Sequence, residues 1–444
     1  MRKQEKRGKY YIIAVLVWSM TVMAACGEVP LDETLDSFYT GWVDGIEDTV
    51  LGHTEMFGED EADRQETKPD QTVHLTDETT LNQKVTDQTQ NVPERANSFL
   101  MKEATEFAYD TLTLMQQEWY RQIADSLGTM AEETRLNLSV LTEGVREEDI
   151  DLIFQCVMMD HPELFFVEGY TYTKYTKGES IAAIAFKGTW NMSREEAEQR
   201  KILIDSAVAP ILAEAARCEN DYERVKYVYE TIIQNTEYDM QAPDNQNIYS
   251  VFVSGRSVCQ GYAKATQYLL NRLGMEATLV QGVVDTGEKH AWDLVKVSGS
   301  YYYVDTTWGD ASYQMEGEAP DWGMPEINYD YLCINTEQLL RTHTLDMPVP
   351  LPYCVDVRDN YYVKEGAVFD SYDTVKLQEL FDRRAASGRR DVALRCTSLS
   401  CYLEMQEALI ERQEIFEYLD NHGEQVAYSL DDKQQTMTFW MTNE

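Results

Sequence analysis

Basic residues are scarce in this 444-residue chain: 38 Lys and Arg stand against 78 Asp and Glu, a net charge of −40. A surface so acidic repels polyanions, which argues against nucleic acid as a partner. No two cysteines are spaced CxxC, so the ligand pattern of a structural zinc site is missing. The chain also has no P-loop, GxSxG elbow, HExxH pair or EF-hand loop. Their absence removes Walker-type nucleotide chemistry, α/β-hydrolase chemistry, zincin chemistry and EF-hand calcium binding from consideration. No metal or cofactor is therefore expected, and no internal repeat is present.

What remains is ample for folded cores: 43% hydrophobic residues, with 28 Tyr and 8 Trp. The length suggests two or three domains. The first 26 residues read apart from the rest. Arg2, Lys3, Lys6, Arg7 and Lys9 precede an apolar run from Tyr10 to Ala25, short for a membrane span and suited to a signal-peptide core. The run ends Met23-Ala24-Ala25-Cys26, which resembles a bacterial lipobox. That resemblance implies cleavage before Cys26, lipidation of its sulfur and a protein held on the outer face of the cell membrane. Residues 27–92 carry 17 acids and 3 bases, too polar to offset their ordering entropy, and read as an acidic disordered tether. An exported location permits disulfides among Cys156, Cys218, Cys333, Cys354, Cys396 and Cys401, with the connectivity left open.

From about residue 93 the pattern is mixed. Phe99, Ala104, Phe107, Ala108, Leu112 and Met115 recur at helical spacing. Asp149 opens a helix that ends before His161, two strands follow near 170–173 and 181–186, and Ser193 is placed to cap a long helix. Residues 93–220 thus form an expected α+β region. In 221–345, Asp221 is read as the cap of a helix and residues 258–273 as another, stopped by Gly274. Three strands follow as an antiparallel meander, 277–284, 291–297 and 301–304, and then a Gly-, Pro- and acid-rich loop near 311–330. Residues 346–444 are read as a C-terminal α+β region, with strands at Tyr361–Val363 and 392–395, a helix from Leu403 to Leu419 and two closing strands.

The chemistry is concentrated in three segments. Ser257-Val258-Cys259-Gln260-Gly261 puts a cysteine at the first turn of a helix, where free N–H groups and the dipole favour a thiolate. His290 opens one strand and Asp305 closes the next, so a tight hairpin brings them together. The acid can then fix the tautomer of the imidazole, whose other nitrogen takes the thiol proton. Gln260 and the Cys259 N–H are candidates to hold an oxyanion, and Trp292 and Trp308 are candidates to wall a cleft.

The segments Gly255–Ala263, His290-Ala291-Trp292 and Val304–Asp310 resemble, in order and spacing, the three motifs of bacterial transglutaminase-like domains. The resemblance covers roughly residues 220–312. It implies a transglutaminase-like, papain-like α+β core in which a Cys-bearing helix packs on an antiparallel sheet carrying His290 and Asp305. Where the motif often has proline soon after the acid, this chain has Thr306-Thr307. The implied activity is thiol acyl transfer on peptide or protein substrates of the cell envelope, by hydrolysis in preference to amine transfer. The alternative from another class is a catalytically idle binding module at the cell surface. Nothing in the sequence sets an oligomeric state.

Overall fold

The computed structural model describes residues 106–177, 180–311, 324–419 and 425–441, and the backbone alone at 12–14, 49–53 and 73–74. Cys26 and the side chains of the expected signal peptide and acidic tether lie outside the described residues, as does 312–323. Among the described residues no helix is long and apolar enough to cross a membrane. They fall into two compact units, one of 106–205 with 348–350, the other of 206–347 with 351–441.

In the first unit, α1 (Phe107–Thr111) and α2 (Leu114–Gly128) replace the single helix expected through Met115. Leu112 is extended, and Thr113 starts a new helix by a reciprocal capping box with Gln116. β1 (Thr134–Arg135) is followed by α3 (Asp149–Asp160), β2 (Val167–Lys177) and β3 (Ser180–Trp190). β2 and β3 form an antiparallel hairpin, with β1 beside Ala185 and Phe186 of β3. The buried Asp160 carboxylate accepts from the Ala108 and Tyr109 N–H groups and from the Tyr120 hydroxyl, each at 2.9 Å. That fixes the start of α1 on the end of α3. α4 (Arg194–Ala215) begins where Ser193 Oγ accepts from the Glu196 N–H, as read from sequence.

The second unit opens with α5 (Asp221–Asn235). Its cap is Asn220, whose side chain accepts from the Glu223 N–H, and not Asp221, which stands one residue inside the helix. β4 (Glu237–Tyr238) and β5 (Arg256–Ser257) pair in parallel and lead into α6 (Cys259–Arg272). Every residue of α6 from Cys259 to Leu270 is buried, so this is a central helix with partners all round. Against it lie β6 (Ala277–Val284) and β7 (Lys289–Val297), and β8 (Ser300–Val304) pairs with β7 to complete the expected antiparallel meander. A short helix α7 (Thr336–Leu339) precedes a fourth strand, β9 (His343–Leu345), which pairs antiparallel with β6.

Beyond it, α8 (Tyr361–Lys364) stands where a strand was expected. The Asn360 side chain accepts from the Tyr362 N–H, and Tyr361 stacks on Tyr329 at 3.9 Å with parallel rings, so capping and packing override the β preference of Tyr-Tyr-Val. β10 (Val368–Phe369), α9 (Thr374–Ala386) and β11 (Asp391–Cys396) follow. α10 (Leu399–Gln406) is capped by Ser398, so it starts four residues before the expected Leu403. The chain leaves regular α-helix after Gln406, widening into a π turn at Glu407–Glu411 and then tightening into a 3-10 turn at Glu414–Glu417, rather than running on as one helix to Leu419. β12 (Val426–Asp431) and β13 (Thr436–Met441) complete a five-stranded sheet, in which the Ile12–Ala14 backbone, expected to lie in a signal peptide, pairs in parallel with Val426–Tyr428 and is followed by β12-β13-β11-β10.

Candidate active site

Cys259 is the first residue of α6 and is 6% exposed. No side chain caps this helix, so no capping group competes for its first N–H donors. The next turn is tightly constrained. A Cβ on Gly261 would stand 1.9 Å from Ser257 Oγ and 3.1 Å from the Asn245 carbonyl oxygen, so only glycine lets the 245–247 segment close over the helix start. Ser257 Oγ in turn donates to the Asn245 carbonyl at 2.6 Å, tying the approach strand to that segment.

His290 lies on β7 and is buried. Its Nε2 is 2.7 Å from Asp305 Oδ2, and Cys259 is near enough to add to the upward pull on its pKa. Since Nε2 is engaged by the acid, Nδ1 is the nitrogen left to serve the thiol. Burial would pull the imidazolium down, but the Asp305 charge and hydrogen bond, with Cys259 adding to them, reverse this and raise its pKa to about 10. Asp305 is 1% exposed. Burial pushes its carboxyl up, and the His290 charge and hydrogen bond, with a further bond from His343, outweigh this to hold it well below the usual carboxylate range. Its Oδ1 accepts from the Thr307 and Trp308 N–H groups at 2.9 and 3.0 Å. A proline at 307 has no N–H to give, so the Thr306-Thr307 pair has a structural use here. Thr306 supplies a second tie, its hydroxyl 3.2 Å from that of Thr266 on α6.

The structure therefore brings the three expected residues into one line, Cys259 to His290 to Asp305. The supporting candidates fare differently. Gln260 is 2% exposed, inside the helix packing. Trp292 is fully buried and stacks on His290 with ring centroids 5.8 Å apart, so it braces the histidine from within. Trp308 lies 5.9 Å from the same ring and lines a cavity of about 100 Å³ with Ala311, Met324, Ile327, Asp431 and Trp440. Among the described residues all seven cysteines are free thiols.

His343 was not found by sequence reasoning. It sits on β9, 38 residues past Asp305, and its Nε2 is 3.2 Å from Asp305 Oδ2. The chain has 6 histidines, and that scarcity was the one available signal. The ligand-type atoms of His290, Asp305 and His343 lie within 4.8 Å of one another, close enough for an ion, but the two hydrogen bonds already account for the spacing. Asp293, also on β7, is fully buried, and neither carboxyl oxygen has a hydrogen-bond partner. Burial, and then the Asp305 charge, push its carboxyl well up, so it is held neutral.

Residues 211–306 match the transglutaminase-like superfamily. This part of the chain is a transglutaminase-like core. Its helix–sheet arrangement is the α+β architecture expected from the motifs. The chain is 27% identical over 122 residues to human kyphoscoliosis peptidase and 26% identical to the mouse protein. Each match covers 24% of this chain and 18% of the relative, so the chain spans less than a fifth of their length. Among solved structures it resembles a TGase (16% identity, TM-score 0.25, 36% of this chain and 50% of that one). It also resembles the periplasmic domain of TgpA from Pseudomonas aeruginosa bound to ethylmercury (16%, 0.21, 31% and 60%).

Proposed function

We propose that this transglutaminase-like core is a working thiol acyl-transfer enzyme, exported and lipid-anchored through Cys26, acting on peptide or protein substrates of the cell envelope. The reading is carried by one observation: Cys259, at the start of α6, lies beside His290, which is bonded to an ionised, four-times-bonded Asp305. Cys259 Sγ attacks an amide carbonyl, and the oxyanion collects at the start of α6, which no side chain caps. The C–N bond then breaks as His290 gives its proton to the leaving amine, leaving a thioester. Water attacks the thioester as His290 takes a proton from it, and the acid leaves with Cys259 restored. Hydrolysis is preferred to transfer onto an amine. The kinship with a protein named as a peptidase supports that preference. A binding module would have no need of a histidine bonded to an acid and set beside a thiol at a buried site.

The test is incubation of the mature protein with cell-envelope peptides, with and without a biotinylated amine. A Cys259-linked acyl adduct and release of free acid are expected. Amine incorporation that outpaces acid release would replace hydrolysis by transamidation. Absence of any Cys259-dependent product would leave the idle module as the reading.

A further inference from the structure

Asp305 stands between two imidazoles. Its Oδ2 meets His290 Nε2 at 2.7 Å and His343 Nε2 at 3.2 Å, while its Oδ1 takes two backbone N–H groups. A carboxylate offers about four acceptor positions, and here all are used, so the group cannot rotate without breaking bonds. We propose that His343 is a positioning residue for the Cys259–His290–Asp305 line, clamping the Asp305 carboxylate in the orientation that serves His290. The inference rests on the reading of Cys259 as a nucleophile.

The environment of His343 suits a donor held in one tautomer. Its side chain is fully buried. Burial pulls its imidazolium down, and although Asp305 opposes this and His290 adds to it, the net direction is downward, so the ring is neutral. A neutral ring that donates from Nε2 must accept at Nδ1. The nearest group to Nδ1 is the Thr342 hydroxyl, at 2.8 Å, which donates to it in this tautomer in preference to the Leu339 carbonyl, 3.5 Å from the same hydroxyl. Tyr331 Oη lies 3.3 Å from that hydroxyl, and Gln434 Nε2, from the β12–β13 turn, lies 3.5 Å from Tyr331 Oη. Two indoles pin the ring itself: Trp292 meets it edge-on at 4.8 Å and Trp308 at 4.7 Å. The approach of β9 depends on Gly282, because a Cβ there would stand 1.9 Å from the Thr344 carbonyl oxygen. A histidine kept only for packing has no reason to have both nitrogens matched in this way.

The experiment measures alkylation of Cys259 by iodoacetamide against pH in the full chain, by peptide mass mapping, for the native protein and for His343→Leu, His343→Gln and Thr342→Val. Gln can present an N–H near the position of Nε2; Leu cannot. His343→Leu is expected to slow Cys259 by roughly 10- to 100-fold, the scale of a small misplacement at a reacting centre. It should also move the acid limb to higher pH, because Asp305 loses a donor that keeps it ionised. His343→Gln should keep the native limb, and Thr342→Val should shift it in the same direction as Leu by less. A native rate and limb in His343→Leu would overturn the proposal, as would equal losses in Leu and Gln with the limb unmoved. If the Leu variant does not fold, Thr342→Val decides, a shifted limb supporting the clamp and an unshifted one overturning it. A native Cys259 no faster than the other thiols would sink the nucleophile reading and this inference with it. A fast native thiol indifferent to all three changes would sink this inference alone.

Discussion

His290 and Asp305 are bonded diagonally across a ladder rather than directly. Asp293 pairs with Val304, so the continuing register sets Asp305 opposite Trp292, with His290 two residues farther along β7. Side chains on one face of a sheet at such diagonal positions remain within reach of each other. The acid bridges the gap because it lies just past the end of β8, where the chain turns and the Thr307 and Trp308 N–H groups bend back onto Oδ1. The turn thus aims the carboxylate, and the strand aims the imidazole.

Cys259 should be the first thiol alkylated in the native protein. Burial raises the other six described thiols, Cys156 to about 12 and Cys354 to about 11, with Cys218, Cys333, Cys396 and Cys401 shifted the same way. Cys259 alone among them faces an imidazole held protonated through neutral pH. His290→Ala should slow its alkylation at neutral pH by ~10-fold or more, in line with loss of a general acid–base partner. Mass mapping after a brief exposure to iodoacetamide checks both; first labelling at Cys218 would contradict the assignment.

The residues of this line were legible because each announces itself locally. A cysteine at a helix start and a His and an Asp at two hairpin ends need only helix periodicity, strand alternation and turn residues to be placed. His343 gave no such notice, since β9 reaches Asp305 across 38 residues that include α7 and carry no shared pattern. The same limit explains α8, where the Tyr361–Tyr329 stack, a tertiary contact, overrode the β preference of the tyrosines. α9 is faint in the sequence although its signals are local: Asp373 accepts from the Val375 and Lys376 N–H groups, and Leu377, Leu380 and Phe381 share the buried face. Its Lys, Gln, Glu, Asp and Arg residues dilute that stripe.

The Asp305–His290 pair should make stability depend on pH in a defined window. The depressed Asp305 contributes stability that is present above its unfolded pKa of about 3.9 and lost as pH falls below it. The raised His290 contributes stability that is full below its unfolded pKa of about 6.5, and it is lost as pH rises toward about 10. Asp305→Asn should therefore cost most between about pH 4 and 6.5, on the order of 3–5 kcal/mol for a broken buried pair. The cost should shrink on either side. Urea denaturation of both proteins across pH measures this; a flat difference would refute the pairing.

Asp293 predicts the opposite slope. Its carboxyl is held neutral in the fold but ionises in the unfolded chain above about pH 3.9, so it costs stability progressively as pH rises. Asp293→Asn removes that proton uptake. Relative to the native protein, the variant should gain about 1.4 kcal/mol per pH unit above about pH 4, up to the folded pKa. Chemical denaturation at several pH values checks the slope, and a gain that does not grow with pH would show that Asp293 is ionised in the fold.

Gly261→Ala should damage reactivity more than its size suggests. The added methyl would be forced against Ser257 Oγ and the carbonyl oxygens of Asn245 and Asn247, at 1.9, 3.1 and 3.2 Å. Ser257 can yield only by giving up its part-buried bond to the Asn245 carbonyl and its buried bond to the Ser250 hydroxyl. The alternative is for the first turn of α6 to shift, and that turn carries Cys259. Overpacking of this kind costs about 1–3 kcal/mol in stability, while misplacing a reacting atom can cost up to about 10² in rate. The variant should therefore retain its fold under mild conditions, with a lowered melting temperature and Cys259 alkylation slowed by at least ~10-fold. Restoring space through Gly261→Ala with Ser257→Gly should recover part of the rate, because it removes the closest clash and leaves the two carbonyl contacts. Thermal melts and alkylation rates of the single and double variants decide the matter. If the single variant melts lower but reacts at the native rate, the close approach at Gly261 serves stability alone and does not set the position of the nucleophile.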